Sequence, residues 1–365
     1  MLEVLTCRDQ KVAVSCNVEH RDKLIVAAKS PASRDVKIVS RQHFHRLHSC
    51  IVFWAQMALV KPTIAVFGAT GYLGQHIAAA LLDPGTRSKF RNVVLLSRRA
   101  TKLQRWQKYN AVIRQCDERD LIASLKDIDI VVDAVGPSGV EFSRRLIAAM
   151  AQAKVMIYFP PEFDVDHNLH DFRFAEWDWK KSNVALARAQ LPGTKVCQIF
   201  ASLLLEQAFG PWLGFCSKRQ TYACVGSKDV AISFTSVRDL ARTIVQLCLT
   251  ELSRIPDQVH IGGTTATFSD VATIMSRENG NRIRVVELPL AAFKASVLTA
   301  AGSKRTDYLR CVMAEGKANH GRYGVWNVNE LVNPGGSRWE WTTVDALAKQ
   351  TGGRPWSDAD WPDVR

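Results

Sequence analysis

Thr63-Ile64-Ala65-Val66-Phe67-Gly68-Ala69-Thr70-Gly71-Tyr72-Leu73-Gly74-Gln75-His76 is the stretch on which the fold turns. An apolar run of strand length enters three glycines spaced G-x-x-G-x-x-G, and a helix-forming run, Gly74–Leu82, leaves them. Gly68 permits a tight turn, Gly71 lets backbone N–H groups approach a pyrophosphate, and Gly74 lets the helix close on the strand. The helix start adds unpaired donors and partial positive charge. Gly68, Thr70, Gly71, Tyr72, Leu73 and Gly74 are therefore expected to cradle the phosphates of a dinucleotide.

Outward from this loop the chain alternates short apolar runs with amphipathic segments. Asn92–Leu96, Ala111–Arg114, Ile128–Ala134, Val155–Phe159 and Lys195–Phe200 read as strands. Asp117–Leu125, Val140–Ala153 and a segment ending near Gln190 read as helices. Strands apolar almost throughout are buried on both faces, as in a parallel sheet covered by helices. With right-handed crossovers, the expectation is an α/β fold: a doubly wound parallel Rossmann-type sheet, its ligand beyond the carboxyl ends of the strands. Further on, Thr221–Val225 and Val230–Phe234 resemble a hairpin about Gly226. Ser236-x-x-Asp239 and Thr267-x-x-Asp270 read as capping boxes, with Gln258–Ile261 a late strand between their helices.

The predicted organisation is an extension over 1–56, a dinucleotide domain over 57–205 with later sheet elements near 235–265, and a smaller α/β substrate lobe over 206–365. Residues 1–56 hold four histidines, no glycine and no sustained period, and read as disordered. Met57-Ala-Leu-Val-Lys-Pro62 leads straight into the first strand, as a chain of this fold normally begins. His43, His45 and His48 have no carboxylate or cysteine beside them, so no metal site is expected.

Nine scattered cysteines with no C-x-x-C pair suggest free thiols in a reducing compartment, cytoplasm by default. No apolar run reaches the roughly 18 residues of a membrane span. The formal charge is +13, yet the basic residues are spread along the chain, apart from short clusters at Arg87–Arg91 and Arg98–Lys102. That pattern speaks against nucleic-acid binding and for a basic surface with an anionic cofactor site. Cofactor choice is read after the second strand, where NAD binders carry an acid for the ribose 2′-OH. Here Arg98 and Arg99 follow Ser97, with no acid from there to Asp117, which favours the 2′-phosphate of NADP.

These residues resemble the NmrA-like family, which includes isoflavone and phenylcoumaran benzylic ether reductases, over roughly Pro62 to Pro362. The resemblance rests on the glycine loop and on Val132-Asp-Ala-Val-Gly136 and Phe159-Pro-Pro-Glu-Phe163. It extends to Ile232-Ser-Phe-Thr-Ser-Val-Arg-Asp239 and Asn329-Glu-Leu-Val-Asn-Pro334. It implies that Val135, Gly136, Pro137, Phe159 and Pro160 border the nicotinamide half of NADP. It further implies a catalytic lysine near the start of the next long helix, where Lys180 and Lys181 stand in Trp177-Asp-Trp-Lys-Lys181. None of the six tyrosines has lysine four residues on, so the tyrosine–lysine mechanism of ordinary short-chain dehydrogenases is excluded.

Adjacent helix residues point about 100° apart, so only one of the two lysines faces the site; Trp177, three residues before it, favours Lys180. A largely apolar pocket would lower the pKa of such a lysine. The implied function is hydride transfer from NADPH to an aromatic or polycyclic small molecule, with Trp212, Phe215 and Phe293 suited to such a ligand. The ending resembles the fungal secondary-metabolism branch. The alternative is a non-enzymatic NADP-sensing regulator that binds a transcription factor; such proteins lose the lysine region.

Overall fold

In the computed structural model the described residues are 14–17, 25–28, 61–136, 139–321 and 327–359. Met1–Lys61 and Pro62–Arg365 form two separate compact units. In the first, β1 (Val14–Asn17) pairs antiparallel with β2 (Ile25–Ala28). Those eight residues are strand where no periodicity announced one; the rest of the expected extension lies outside the described residues.

In the second unit, β3 (Thr63–Phe67), β4 (Asn92–Ser97), β5 (Val112–Gln115), β6 (Ile130–Asp133), β7 (Ile157–Phe159) and β8 (Lys195–Val196) form a parallel sheet in the order β5-β4-β3-β6-β7-β8. The order reverses between β3 and β6, which opens a crevice at their carboxyl ends. Alternation along each strand divides the sheet into two faces. Ile64 and Val66 of β3 pack with Ile77 and Leu81 of α1 (Tyr72–Leu82), while Ala65 and Phe67 pack with Leu146 and Met150 of α2 (Val140–Ala153). A third helix, α3 (Ala175–Gln190), follows β7. The chain then breaks its strand at Cys197, whose N–H donates to Tyr158. It resumes as β9 (Gln198–Phe200), which pairs in parallel with β14 (Gln258–His260) as a separate two-stranded sheet, so a strand does form within the expected Gln258–Ile261.

The second core lies under two three-stranded sheets. One holds β10 (Leu203–Leu204), β13 (Ile232–Thr235) and β15 (Thr264–Ala266). The other holds β11 (Phe215–Cys216), β12 (Thr221–Val225) and β16 (Arg284–Leu288). The expected hairpin is therefore absent. β12 pairs in parallel with β16, and β13 lies between β10 and β15, because the Gly226 N–H turns away to bond Leu288.

Of the two expected capping boxes one forms. Thr267 and Asp270 bond reciprocally at the start of α5 (Phe268–Asn279). At α4 (Val237–Cys248) only Ser236 caps, bonding Arg238 N; Asp239 is fully buried and accepts instead from Thr342 N at 2.7 Å and Arg242 at 3.0 Å.

Candidate active site

A cleft of about 960 Å³ opens at the carboxyl ends of β3, β4, β5 and β6. Its floor is the glycine loop. Gly68 has φ +76°, and a Cβ there would fall 2.4 Å from the Ala134 carbonyl oxygen, so only glycine fits. A Cβ on Gly74 would meet the Gly68 carbonyl at 2.1 Å; this glycine packs against the loop itself rather than against the strand. Gly71 is the N-cap of α1, and no side chain caps the helix there, leaving its first amides directed at the cleft.

Of the residues expected to hold cofactor, Gly68, Thr70, Gly71, Arg98, Arg99, Val135 and Gly136 line this cleft. Tyr72, Leu73, Gly74, Phe159 and Pro160 do not. Tyr72 turns outward against the ring of His76, Leu73 packs on the core, Gly74 is taken up by the loop contact, and Phe159 and Pro160 are buried behind the wall. Pro137 lies outside the described residues.

At the far end four cations, Arg98, Arg99, Lys102 and Arg145, line the wall with two carboxylates, Glu118 and Glu141. Glu118 stands 3.5 Å from Arg98 and 2.5 Å from Arg145. An uncapped helix start, glycines at the points of closest approach and surplus positive charge fit an anionic dinucleotide.

The opposite wall is the turn after β6. Asp133 is fully buried and accepts from Ser143 Oγ at 2.9 Å, from Val135 N at 3.1 Å and from Tyr158 OH at 3.3 Å. Burial pushes its carboxyl up to about 6 against the pull of those donors. Asp133 thus holds the Val135–Gly136 turn to α2 and β7.

Beyond β7 the Phe159–Phe163 loop meets α3. Lys180 is buried, and its Nζ donates to the Glu162 carbonyl at 3.0 Å; Trp177, one turn earlier on the same face, is fully buried, while Lys181 is half-buried. The surroundings expected to be apolar hold charge instead. The Glu162 carboxylate accepts from Gln198 at 3.2 Å and lies 3.3 Å from His167 Nδ1. Burial pushes it up to about 7, against the opposing charge of Lys180. Burial, then the charge of Lys180, pushes His167 down to about 3, so its ring is neutral. Burial would raise Asp164, but the Arg305 guanidinium, with Lys180, holds it below the usual carboxylate range. Asp166 accepts from Asn168 N and stands 2.9 Å from His260 Nε2. Asp164 and Asp166 thus both carry buried ion pairs or hydrogen bonds.

A second cavity of about 250 Å³ begins one residue past the Lys180 anchor, where Phe163 and Asp164 face Trp212, Leu204 and Leu309. Trp212 is thus in a position to meet a ligand. Phe215 is not: it is fully buried and stacks on Phe268 at 4.2 Å. Phe293 lies under the guanidinium of Arg310, 4.7 Å from its ring centre.

Sequence reading missed Glu118, Arg145 and Lys102. The switch-point rule contained the signal, since it directs attention to the residues after every strand, and Glu118 lies three past the end of β5. Among the described residues no group of three or more His, Cys, Asp or Glu could hold a metal, and no helix is long and apolar enough to cross a membrane.

The chain matches the model of the NmrA-like family over residues 60–337. It is 33% identical over 125 residues to phenylcoumaran benzylic ether reductase PT1 of Pinus taeda, an alignment covering 30% of this chain and 39% of that protein. The chain thus spans well under half the length of that relative. It is 26% identical over 229 residues to oxidoreductase aprR of Aspergillus flavus, covering 60% of this chain and 74% of that one. Among solved structures, leucoanthocyanidin reductase of Vitis vinifera in binary complex with NADPH superposes with a TM-score of 0.67. That match has 17% identity and covers 80% of this chain and 99% of the other.

Proposed function

The chain belongs to the NmrA-like family, and from that premise we propose that it is an NADP-dependent reductase acting on an aromatic or polycyclic small molecule in secondary-metabolite biosynthesis. The observation that carries this reading is the buried Lys180, anchored on Glu162 next to Phe163 and Asp164, which line the second cavity. A sensor has no use for a buried ammonium there, since burying a charge without function costs stability.

In this reading the glycine loop and the first amides of α1 bind the pyrophosphate, and Arg98 and Arg99 bind the 2′-phosphate. NADPH supplies a hydride when bound. Asp133 fixes the turn that borders the nicotinamide half, and the bulk of Phe159 and Pro160 excludes water behind it. Lys180 holds a proton at Nζ for the oxygen of an acceptor lying in the second cavity, with the Glu162 carbonyl fixing its direction. Trp212 offers that acceptor a flat apolar wall.

The test is NADPH oxidation, followed by absorbance, across a panel of aromatic enones, quinones and benzylic ethers. Turnover of one class that stops in Lys180→Ala supports the reading. NADPH binding without turnover of any member, together with NADP-dependent capture of a protein partner, would give the site to a sensor.

A further inference from the structure

The acid that NAD-binding folds carry after the second strand is missing from this sequence, yet the structure supplies one from the neighbouring strand. β4 and β5 run parallel with Ser97 opposite Gln115, so the residues after each strand meet beyond the same sheet edge. Arg98 leaves β4 there, and Glu118 arrives from beyond β5 with its carboxylate 3.5 Å from the Arg98 guanidinium. The other carboxylate oxygen lies 2.5 Å from Arg145, which projects from α2. All three side chains line the dinucleotide cleft. One carboxylate therefore bridges two of the four cations at that wall.

We propose that Glu118 sets the cofactor selectivity of the cleft by competing with the ribose 2′-phosphate for Arg98. The proposal rests on the NADP reading of the cleft. The contact to Arg98 is the loose one, made by a side chain 81% exposed, whereas the contact to Arg145 is close. A 2′-phosphate carries close to two negative charges and offers a bidentate partner to a guanidinium, so it draws Arg98 away. Glu118 stays on Arg145, beside the incoming phosphate, and repels it. A ribose 2′-OH meets no such repulsion and can donate to the carboxylate oxygen that faces Arg98. Glu118 thus narrows a preference for NADP that the arginines alone would make wider.

The measurement is the dissociation constant of NADPH, NADH, 2′,5′-ADP and 5′-AMP for the full chain, by fluorescence titration at low ionic strength. Glu118→Gln and Glu118→Ala are expected to tighten NADPH and 2′,5′-ADP about fivefold, leaving NADH and 5′-AMP within about twofold or weaker. Glu141→Gln, which removes a charge from the same wall without touching Arg98, should leave all four within about twofold. NADPH that binds the unchanged protein and gains nothing in either Glu118 variant overturns the inference alone. Equal gains in Glu141→Gln overturn it too, since the effect is then bulk charge. No binding of NADPH or 2′,5′-ADP to the unchanged protein overturns the NADP reading and this inference together.

Discussion

Arg98 and Lys180 are both cations at the candidate site, but one side chain is 81% exposed and the other residue 5% exposed. Around Arg98 the charges are many, exposed and partly redundant: Arg99, Lys102 and Arg145 share the wall, and solvent screens each pair to about 0–1 kcal/mol. Around Lys180 each charge has an assigned partner: Glu162 with His167 and Gln198, Asp164 with Arg305, Asp166 with His260. An exposed cluster tolerates the loss of a member because its neighbours and water close in. A buried cluster does not, since a deserted partner keeps its full desolvation cost.

The largest effect expected from this contrast is at the buried end. On the proposed role of Lys180, Lys180→Ala should lower kcat about 100-fold or more while NADPH affinity stays within a few-fold, because the lysine does not line the dinucleotide cleft. Single-turnover kinetics with the substrate found in the NADPH screen, beside an NADPH titration, checks both halves. A variant that turns over normally would remove Lys180 from the chemistry.

The second effect sharpens the same end. Glu162, raised to about 7, costs folding free energy when ionised, and that cost fades as pH falls toward its unfolded value of about 4.3. Glu162→Gln abolishes the titration. Its stability relative to the unchanged protein is therefore greatest near pH 8 and drops by about 2 kcal/mol by pH 5, a few degrees in thermal midpoint. The buried imidazoles titrate in both proteins and leave the difference unaffected. A difference that stays flat, or grows on acidification, contradicts the assignment.

At the exposed end the expectation is smaller. NADPH should bind at least about tenfold more tightly than NADH, about 1.4 kcal/mol, and Arg98→Ala should remove most of that gap. Equal affinities for the unchanged protein would break the comparison at its other pole. The smallest effect is Lys181→Ala, half-buried on another face of α3, whose kcat and NADPH affinity should stay within about twofold.

How much of this was legible in the residues follows from the distance over which each feature is encoded. The glycine loop lies within one strand, turn and helix, so a local pattern sufficed to find Gly68, Thr70 and Gly71, which line the cleft, whereas Tyr72 and Leu73, one step on, do not line it. Lys180 was preferred over Lys181 because helix periodicity and Trp177 are local too. Glu118 and Arg145 meet Arg98 only because β5 and α2 are brought to the same crevice by sheet order, and no spacing along the chain announces that. The false hairpin failed for the same reason. β12 and β13 look like neighbours in the chain, but their partners lie on β16 and on β10 and β15. The apolar surroundings expected for Lys180 were wrong because Glu162, Asp164, Asp166 and His167 are buried around it.

Gly68 and Ala134 follow different strands, 66 positions apart, yet the space for one missing methyl group is occupied by the other's carbonyl oxygen. The glycine loop and the turn after β6 are thus in direct abutment, with no side chain between them to absorb a shift. Gly68→Ala, the obvious way to disable the loop, would push on the second turn as well. A loss of turnover in that variant cannot be attributed to weaker phosphate binding. Because the contact is with backbone atoms, no substitution at Ala134 would make room for a side chain at position 68.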